Sequence, residues 1–269
     1  MPILLVLLLL FAGFTEQRTG LPVRDGGAFV PGEELLYQVS WSGITIGTIR
    51  LRALPTRRQG GILVCPAEAF INSKEGLPFV NVHFRASTEM DSGCFSLGFR
   101  SLEQDGDIWI EQGYRCEFGR GIVVVEETEH PDVLLSEGQL RRRDTLRLQS
   151  NQIQDGISLV YFARRLVRET GKLSIPTLSY GQMGATDFDS SRPRAAIRIN
   201  AIRTRVRTVG LTGKLRLKGI FGLSGEYRGW FSDDPASIPV KAEMKVLLGS
   251  VKVELVSWSH PGWTPPAAE

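Results

Sequence analysis

A mostly β fold, one curved antiparallel sheet or partly open β-barrel with a single packed helix, is what this 269-residue sequence predicts. Three observations carry that expectation. Apolar and polar residues alternate with a period of two over much of the chain after residue 28. Glycine-containing breaks separate the alternating runs, as hairpin turns do. Only one stretch, 156–170, has its apolar residues at helical spacing.

The elements follow in chain order. The first fourteen residues are uncharged, and Ile3 to Phe14 is almost entirely apolar. That run is too short to span a bilayer as a helix but fits the hydrophobic region of a signal peptide, expected over 1–20. A buried strand or helix is the competing reading, since no Lys or Arg precedes the run. One β-rich domain is expected over 28–258. No later stretch approaches membrane-spanning length, so no transmembrane segment is expected.

From Leu35 to Trp41 the odd positions are Leu, Tyr, Val and Trp, and the alternation changes phase near Gly47, the mark of a β-bulge. Residues 94–102 and 107–118 flank Asp105-Gly106, a two-residue hairpin signal. A turn there sets Leu97 opposite Tyr114 and Arg100 opposite Glu111, and puts Cys94 and Cys116 on opposite faces, where no disulfide closes. The stretch 127–153 is polar and includes Arg141-Arg142-Arg143, so a long exposed connection is expected. Asp155 then offers an N-cap, and Leu159, Phe162, Ala163 and Leu166 form the apolar stripe. Arg164, Arg165 and Arg168 suit the helix dipole, with Gly171 as C-cap. Near the end, Val240, Ala242, Met244, Val246 and Leu248 alternate with charged residues before a Gly249-Ser250 turn and a return strand from Val251. The proline-containing tail, 259–269, is expected to be flexible.

Composition narrows the function. Hydrophobic residues make up 42% and charged residues 23%, enough apolar material for a sizeable core. A net charge of +3 gives no case for nucleic acid, which calls for a concentrated basic face. Catalytic and metal signatures fail one by one. Gly210 to Leu215 has the wrong spacing for a phosphate loop, and His83, His130 and His260 have no paired spacing. Glu126, Glu127, Glu129, His130 and Asp132 read as a solvated strand or loop, because adjacent carboxylates on a strand face opposite ways. Asp187 and Asp189 share a face but lack the rest of a calcium loop. No catalytic, cofactor or metal residue is assigned.

Two patterns remain as candidate binding features. Arg203, Arg205 and Arg207 alternate, as do Lys214, Arg216 and Lys218. On neighbouring strands they would make a cationic patch for lipid head groups or another anionic partner, or simply a solvated face. Trp41, Tyr37, Phe95, Phe99 and Tyr114 fall on inward faces. They would line a hydrophobic cavity or fill a plain core.

Three stretches resemble the bacterial envelope family called domain of unknown function 3108: Phe29-x-Pro31-Gly32-Glu33-x-Leu35-x-Tyr37 through Trp41 to Gly47; Gln154 to Leu159 with Tyr161-Phe162-Ala163-Arg164; and Trp230-x-Ser232-Asp233-Asp234 through Ile238-Pro239-Val240 to Leu255. The resemblance implies an exported, periplasmic β-rich protein and supplies no catalytic residue. The inward aromatics and the basic alternation of an exported β-rich chain make non-enzymatic binding of a lipid or other hydrophobic ligand the expected function. The alternatives are an adaptor that binds another envelope protein and, third, an unrecognised hydrolase.

Overall fold

The computed structural model describes residues 28–77, 81–134, 137–191, 194–217, 224–245 and 249–268. Among them, sixteen strands form one antiparallel sheet that does not close. In chain order they are β1 (Glu34–Trp41), β2 (Ile44–Ala53), β3 (Arg57–Gln59), β4 (Ile62–Ser73), β5 (His83–Met90), β6 (Ser96–Asp105), β7 (Ile108–Glu117), β8 (Ile122–His130), β9 (Gln139–Arg147), β10 (Lys172–Ser179), β11 (Gln182–Asp189), β12 (Arg194–Ile197), β13 (Val206–Leu215), β14 (Gly225–Ser232), β15 (Pro239–Lys245) and β16 (Ser250–Ser259). The helix α1 (Ser158–Leu166) lies between β9 and β10 in sequence.

The spatial order is β10-β11-β13-β14-β15-β16-β1-β2-β4-β5-β6-β7-β8-β9, with β12 beside β13 and β3 beside β4. The sheet curls until its two ends approach. At the β10–β11 turn, a side chain on Gly181 would meet Val125 of β8 at 3.1 Å and Arg142 of β9 at 3.6 Å. The main core fills the concavity, where Tyr161, Phe162, Leu166 and Val167 of the helical segment pack on Leu35, Ala67, Phe188, Val240 and Leu255 of the sheet.

Expected hairpins form, with registers shifted by even numbers of residues. Phe99, not Leu97, sits opposite Tyr114, and Arg100 sits opposite Gly113. A two-residue slip leaves every side chain on its face, so Phe99 stacks on Tyr114 and Arg100 still reaches Glu111 diagonally, at 2.8 Å. At the C-terminal hairpin Met244 pairs with Val251 and Lys245 with Ser250, so Ser250 belongs to the strand rather than the turn. Val246 and Leu248 lie outside the described residues.

The bulge near Gly47 is present: Val39 pairs with Gly47, but Ser40 pairs with Thr45. Glycine is required there by close approach, since a Cβ would stand 2.4 Å from the Asn72 carbonyl oxygen.

Two expectations are corrected. Residues 127–153 are not one long connection, because β8 runs to His130 and β9 occupies 139–147. β9 is mostly exposed and charged, with only Leu146 packing on the core, so it has little apolar alternation to read; cross-strand pairs of Arg141 with Glu129 and Arg143 with Glu126 tie it to β8. The tail expected to be flexible is docked. Trp263 is buried, its indole N–H donates to Asp234 Oδ2 at 2.9 Å, and Arg207 N–H donates to the Pro266 carbonyl at 2.8 Å.

Candidate functional site

The antiparallel alternation puts one set of turns at each end of the curled sheet, and the two ends are built differently. One end is closed by the helix and its arginines. Asp155 starts the helical turn: its Oδ1 accepts from the Ile157 and Ser158 N–H groups at 2.7 and 2.8 Å, and its carbonyl accepts from Leu159 N–H. Its other oxygen accepts from the Thr88 hydroxyl at 2.6 Å and from Tyr114, which is itself bonded to Ser96. Burial, then the Asp155 charge, pushes the Tyr114 phenol well above its ordinary range. The helix start is thereby fastened to β5, β6 and β7.

Its far end is fastened more strongly. Arg164 lies on the buried stripe with Tyr161 and makes a bidentate pair with Glu33, at 2.5 and 3.0 Å, with both side chains essentially inaccessible. Arg164 also donates to the Ala236 carbonyl at 3.0 and 3.2 Å, and His260 Nε2 lies 3.5 Å from Glu33. Arg165 binds the Gly93 carbonyl and Arg168 the Asp234 carbonyl. The arginines assigned to the dipole thus tie the loops between β5 and β6 and between β14 and β15 to the helix.

The opposite end is open. Along β1 the inward side chains grow steadily more accessible, from Leu35 (1%) through Tyr37 (4%) and a half-buried Val39 to Trp41 (38%). Neighbours repeat the gradient: Leu255, then Val253 and Val251 on β16; Ala69, then Ile71 on β4. These residues enclose an apolar cavity of about 580 Å³, whose wall the helix completes with Gly156, Ile157 and Val160. Lys241 borders it but directs its ammonium to Glu254, at 3.0 Å.

Of the sequence-predicted site residues, Tyr37 and Trp41 meet in this cavity, Tyr37 at its deep end. The Tyr37 hydroxyl is buried beyond the cavity wall and has no hydrogen-bond partner among the described residues. Burial, then the Glu33 charge, raises its pKa well above the ordinary value. Arg203, Arg205 and Arg207 do not join them. Arg203 and Arg205 precede β13 rather than lying in it, and Arg207 stands at the β13 end remote from the mouth, 3.9 Å from Asp233. Lys214 and Arg216 follow along the same chain segment instead of on a neighbouring strand, with Arg216 engaged by Asp187 at 2.6 Å; Lys218 lies outside the described residues. Asp187 and Asp189 on β11 and His130 on β8 do not converge: Asp189 faces Lys172 at 3.4 Å and His130 faces Glu111 at 3.0 Å. Sequence reasoning missed the Glu33–Arg164 pair. Its signal was a charged residue on an apolar helical stripe, and the three stretches that carry the family resemblance are the ones that meet there.

No family model matches the chain, so the resemblance to domain of unknown function 3108 rests on those three stretches. No curated protein sequence matches it. Among solved structures, the chain is similar to a β-barrel-like protein of domain of unknown function 1849 from Brucella abortus, at 11% identity and a TM-score of 0.52, over 86% of this chain and 98% of that one. Weaker likenesses, at 8% identity, are to a candidate exported protein with a YmcC-like fold from Bacteroides fragilis (TM-score 0.36; 88% of this chain, 99% of that one) and a candidate lipoprotein from Parabacteroides distasonis (TM-score 0.33; 88% and 100%). The first likeness supports the β-barrel-like architecture.

Proposed function

We propose that this is an exported envelope protein that binds a lipid or other hydrophobic molecule in the open-ended cavity, without catalysing a reaction on it. The observation that carries the reading is the cavity itself. Its volume of about 580 Å³ falls inside the roughly 300–1,000 Å³ usual for small-molecule sites. Ten methylenes entering it at about 0.8 kcal/mol each would contribute about 8 kcal/mol, a micromolar Kd before association costs. Export is supported by the uncharged apolar run at the N-terminus.

A second reading, an adaptor that pairs with another protein along a strand edge, draws on β9, one end of the sheet path. Its arginines are engaged by Glu126, Glu129 and Asp144, a charged edge of the kind that discourages pairing. The cavity therefore carries more weight. Native mass spectrometry of the protein purified gently from an envelope fraction, with organic extraction, tests the choice. Binding predicts a stoichiometric lipid that is absent from Ala242→Trp, which fills the mid-cavity. A clean apo mass that envelope lipids leave unchanged would sink the carrier reading in favour of the adaptor.

A further inference from the structure

The open end carries a second feature that the cavity alone does not require. Among the described residues, eight large hydrophobic side chains are exposed: Trp41, Ile44, Ile62, Leu63, Val133, Leu134, Leu140 and Met183. Strand direction assigns each to an end of the sheet. β1 runs toward the mouth and β2 away from it, so Trp41 and Ile44 flank a turn on the open rim. Tracing the antiparallel ladder from β2 through β4 to β9 puts the β8–β9 loop on the same rim, with Val133, Leu134 and Leu140 in or beside it. Tracing it the other way, through β16 to β11, puts the β10–β11 turn there too, with Met183 beside it. Six of the eight therefore stand on the rim where the cavity opens, and only Ile62 and Leu63 stand at the closed end. Leu134 is 80% exposed and Ile44 60%.

We infer that this rim docks on a lipid bilayer, seating the cavity mouth against the hydrocarbon; the inference rests on the cavity being a lipid site. Three arguments select a membrane over a shaped protein partner. The apolar tips are spread out: β1 and β8 are six strand spacings apart, about 30 Å along the sheet. A broad fluid surface meets dispersed single side chains, whereas a protein hot spot clusters them in a pocket. The rim is also continuous with the apolar cavity wall through Trp41, which belongs to both, so an acyl chain could pass between them without crossing water. Finally, the rim's charges are mixed. Lys74 and Lys245 are exposed beside Glu75, Asp107 and Asp132, so docking depends on apolar burial with a tryptophan at the interface rather than on anionic head groups.

Flotation of the full chain with phosphatidylcholine vesicles, at low and at 1 M salt, tests this. Ile44→Asp/Leu134→Asp is compared with Ile62→Asp, which changes the closed end. Uptake of a fluorescent fatty acid in vesicle-free buffer reports the cavity separately. The wild-type protein and Ile62→Asp are expected to float at both salt concentrations. The rim variant is expected to partition at least about tenfold less, the scale of withdrawing one large side chain from an apolar phase, with fatty-acid uptake unchanged. Absence of flotation while uptake persists overturns the docking inference and leaves the cavity reading standing. Flotation without uptake removes the cavity reading and the inference built on it. Salt-sensitive flotation, or a wild-type dimer that the rim variant dissociates, also overturns it, pointing respectively to head-group charge and to a second copy of the chain.

Discussion

Arg164→Met should be among the most damaging single substitutions in this protein. It leaves the Glu33 carboxylate buried without its bidentate partner, removes both donors to the Ala236 carbonyl, and puts an apolar chain of similar length in their place. Breaking one side of a buried ion pair costs about 3–5 kcal/mol, because the surviving charge keeps its desolvation penalty. In a domain of this size each kcal/mol moves the midpoint by about 2–4 °C, so a drop of about 6–20 °C is expected. The double variant Glu33→Leu/Arg164→Met removes both charges and should recover most of that loss, since buried pairs replaced by apolar residues are often neutral. Arg164→Lys keeps the charge but not the planar fork, and should fall between them. Urea and thermal unfolding of the wild-type protein, Glu33→Leu, Arg164→Met and the double variant closes the cycle, with Arg164→Lys measured beside them. If Arg164→Met lost less than about 1 kcal/mol, or if the double variant lost as much as the two single changes added, the pair would not hold the closed end.

Two further expectations concern titration. Burial pushes the Cys94 and Cys116 thiols up to about 12 and raises Cys65 as well, with Asp91 adding to it. Iodoacetamide at pH 8 should therefore label all three quickly only in denaturant, because the thiolate is the reacting form; native labelling of Cys94 within minutes, read by mass, would contradict its burial. Burial also raises the Glu103 carboxyl above its ordinary value of 4.5, against a hydrogen bond from Tyr180. A carboxyl raised in the folded state contributes stability below its unfolded value and loses it as pH rises through the folded one. Glu103→Gln should therefore gain stability relative to the wild-type protein as pH rises from the ordinary carboxylate range through the raised one, and a flat or falling difference in urea midpoints over that rise would refute the assignment.

How much of this was legible in the sequence depends on which interaction fixes each feature. Period-two burial fixes which face a side chain takes, so the inward positions of Tyr37, Trp41, Phe99 and Tyr114 could be read directly. Burial says nothing about registers that differ by two residues. That is why the 94–118 hairpin keeps its faces but pairs Phe99 rather than Leu97 with Tyr114. Turn geometry decides such slips, and the turn here uses Gly106 with a positive φ of 63°. β9 was invisible because it is held mainly by backbone ladder and cross-strand charge, and a single partly buried Leu146 leaves no apolar period. Arg203 and Arg205 had the period of a strand without the burial of one. The Glu33–Arg164 pair joins residues 131 positions apart, which no local pattern reports.

The two ends of the sheet explain each other. A helix lying in a curled sheet could fill the concavity throughout, and this one does so only at the closed end. There Tyr161, Phe162 and Leu166 are buried and Arg164 donates both to Glu33, just before β1, and to the Ala236 carbonyl of the β14–β15 loop. At its start the helical segment offers Gly156, Ile157 and Val160 to the cavity, beside Tyr37, Val39 and Ile49 of β1 and β2. Were the cavity merely underpacked, substitutions at Gly156 or Ala242 toward larger residues would stabilise the protein by filling it. Were it a site, the same substitutions would gain stability and lose ligand, the usual exchange between stability and function. The way the helix is held favours the second account. It is fastened to the sheet at both ends, at its start through Asp155 to Thr88 and Tyr114 and at its far end through Arg164 to Glu33, so polar contacts set its position without filling the space in front of β1 and β2.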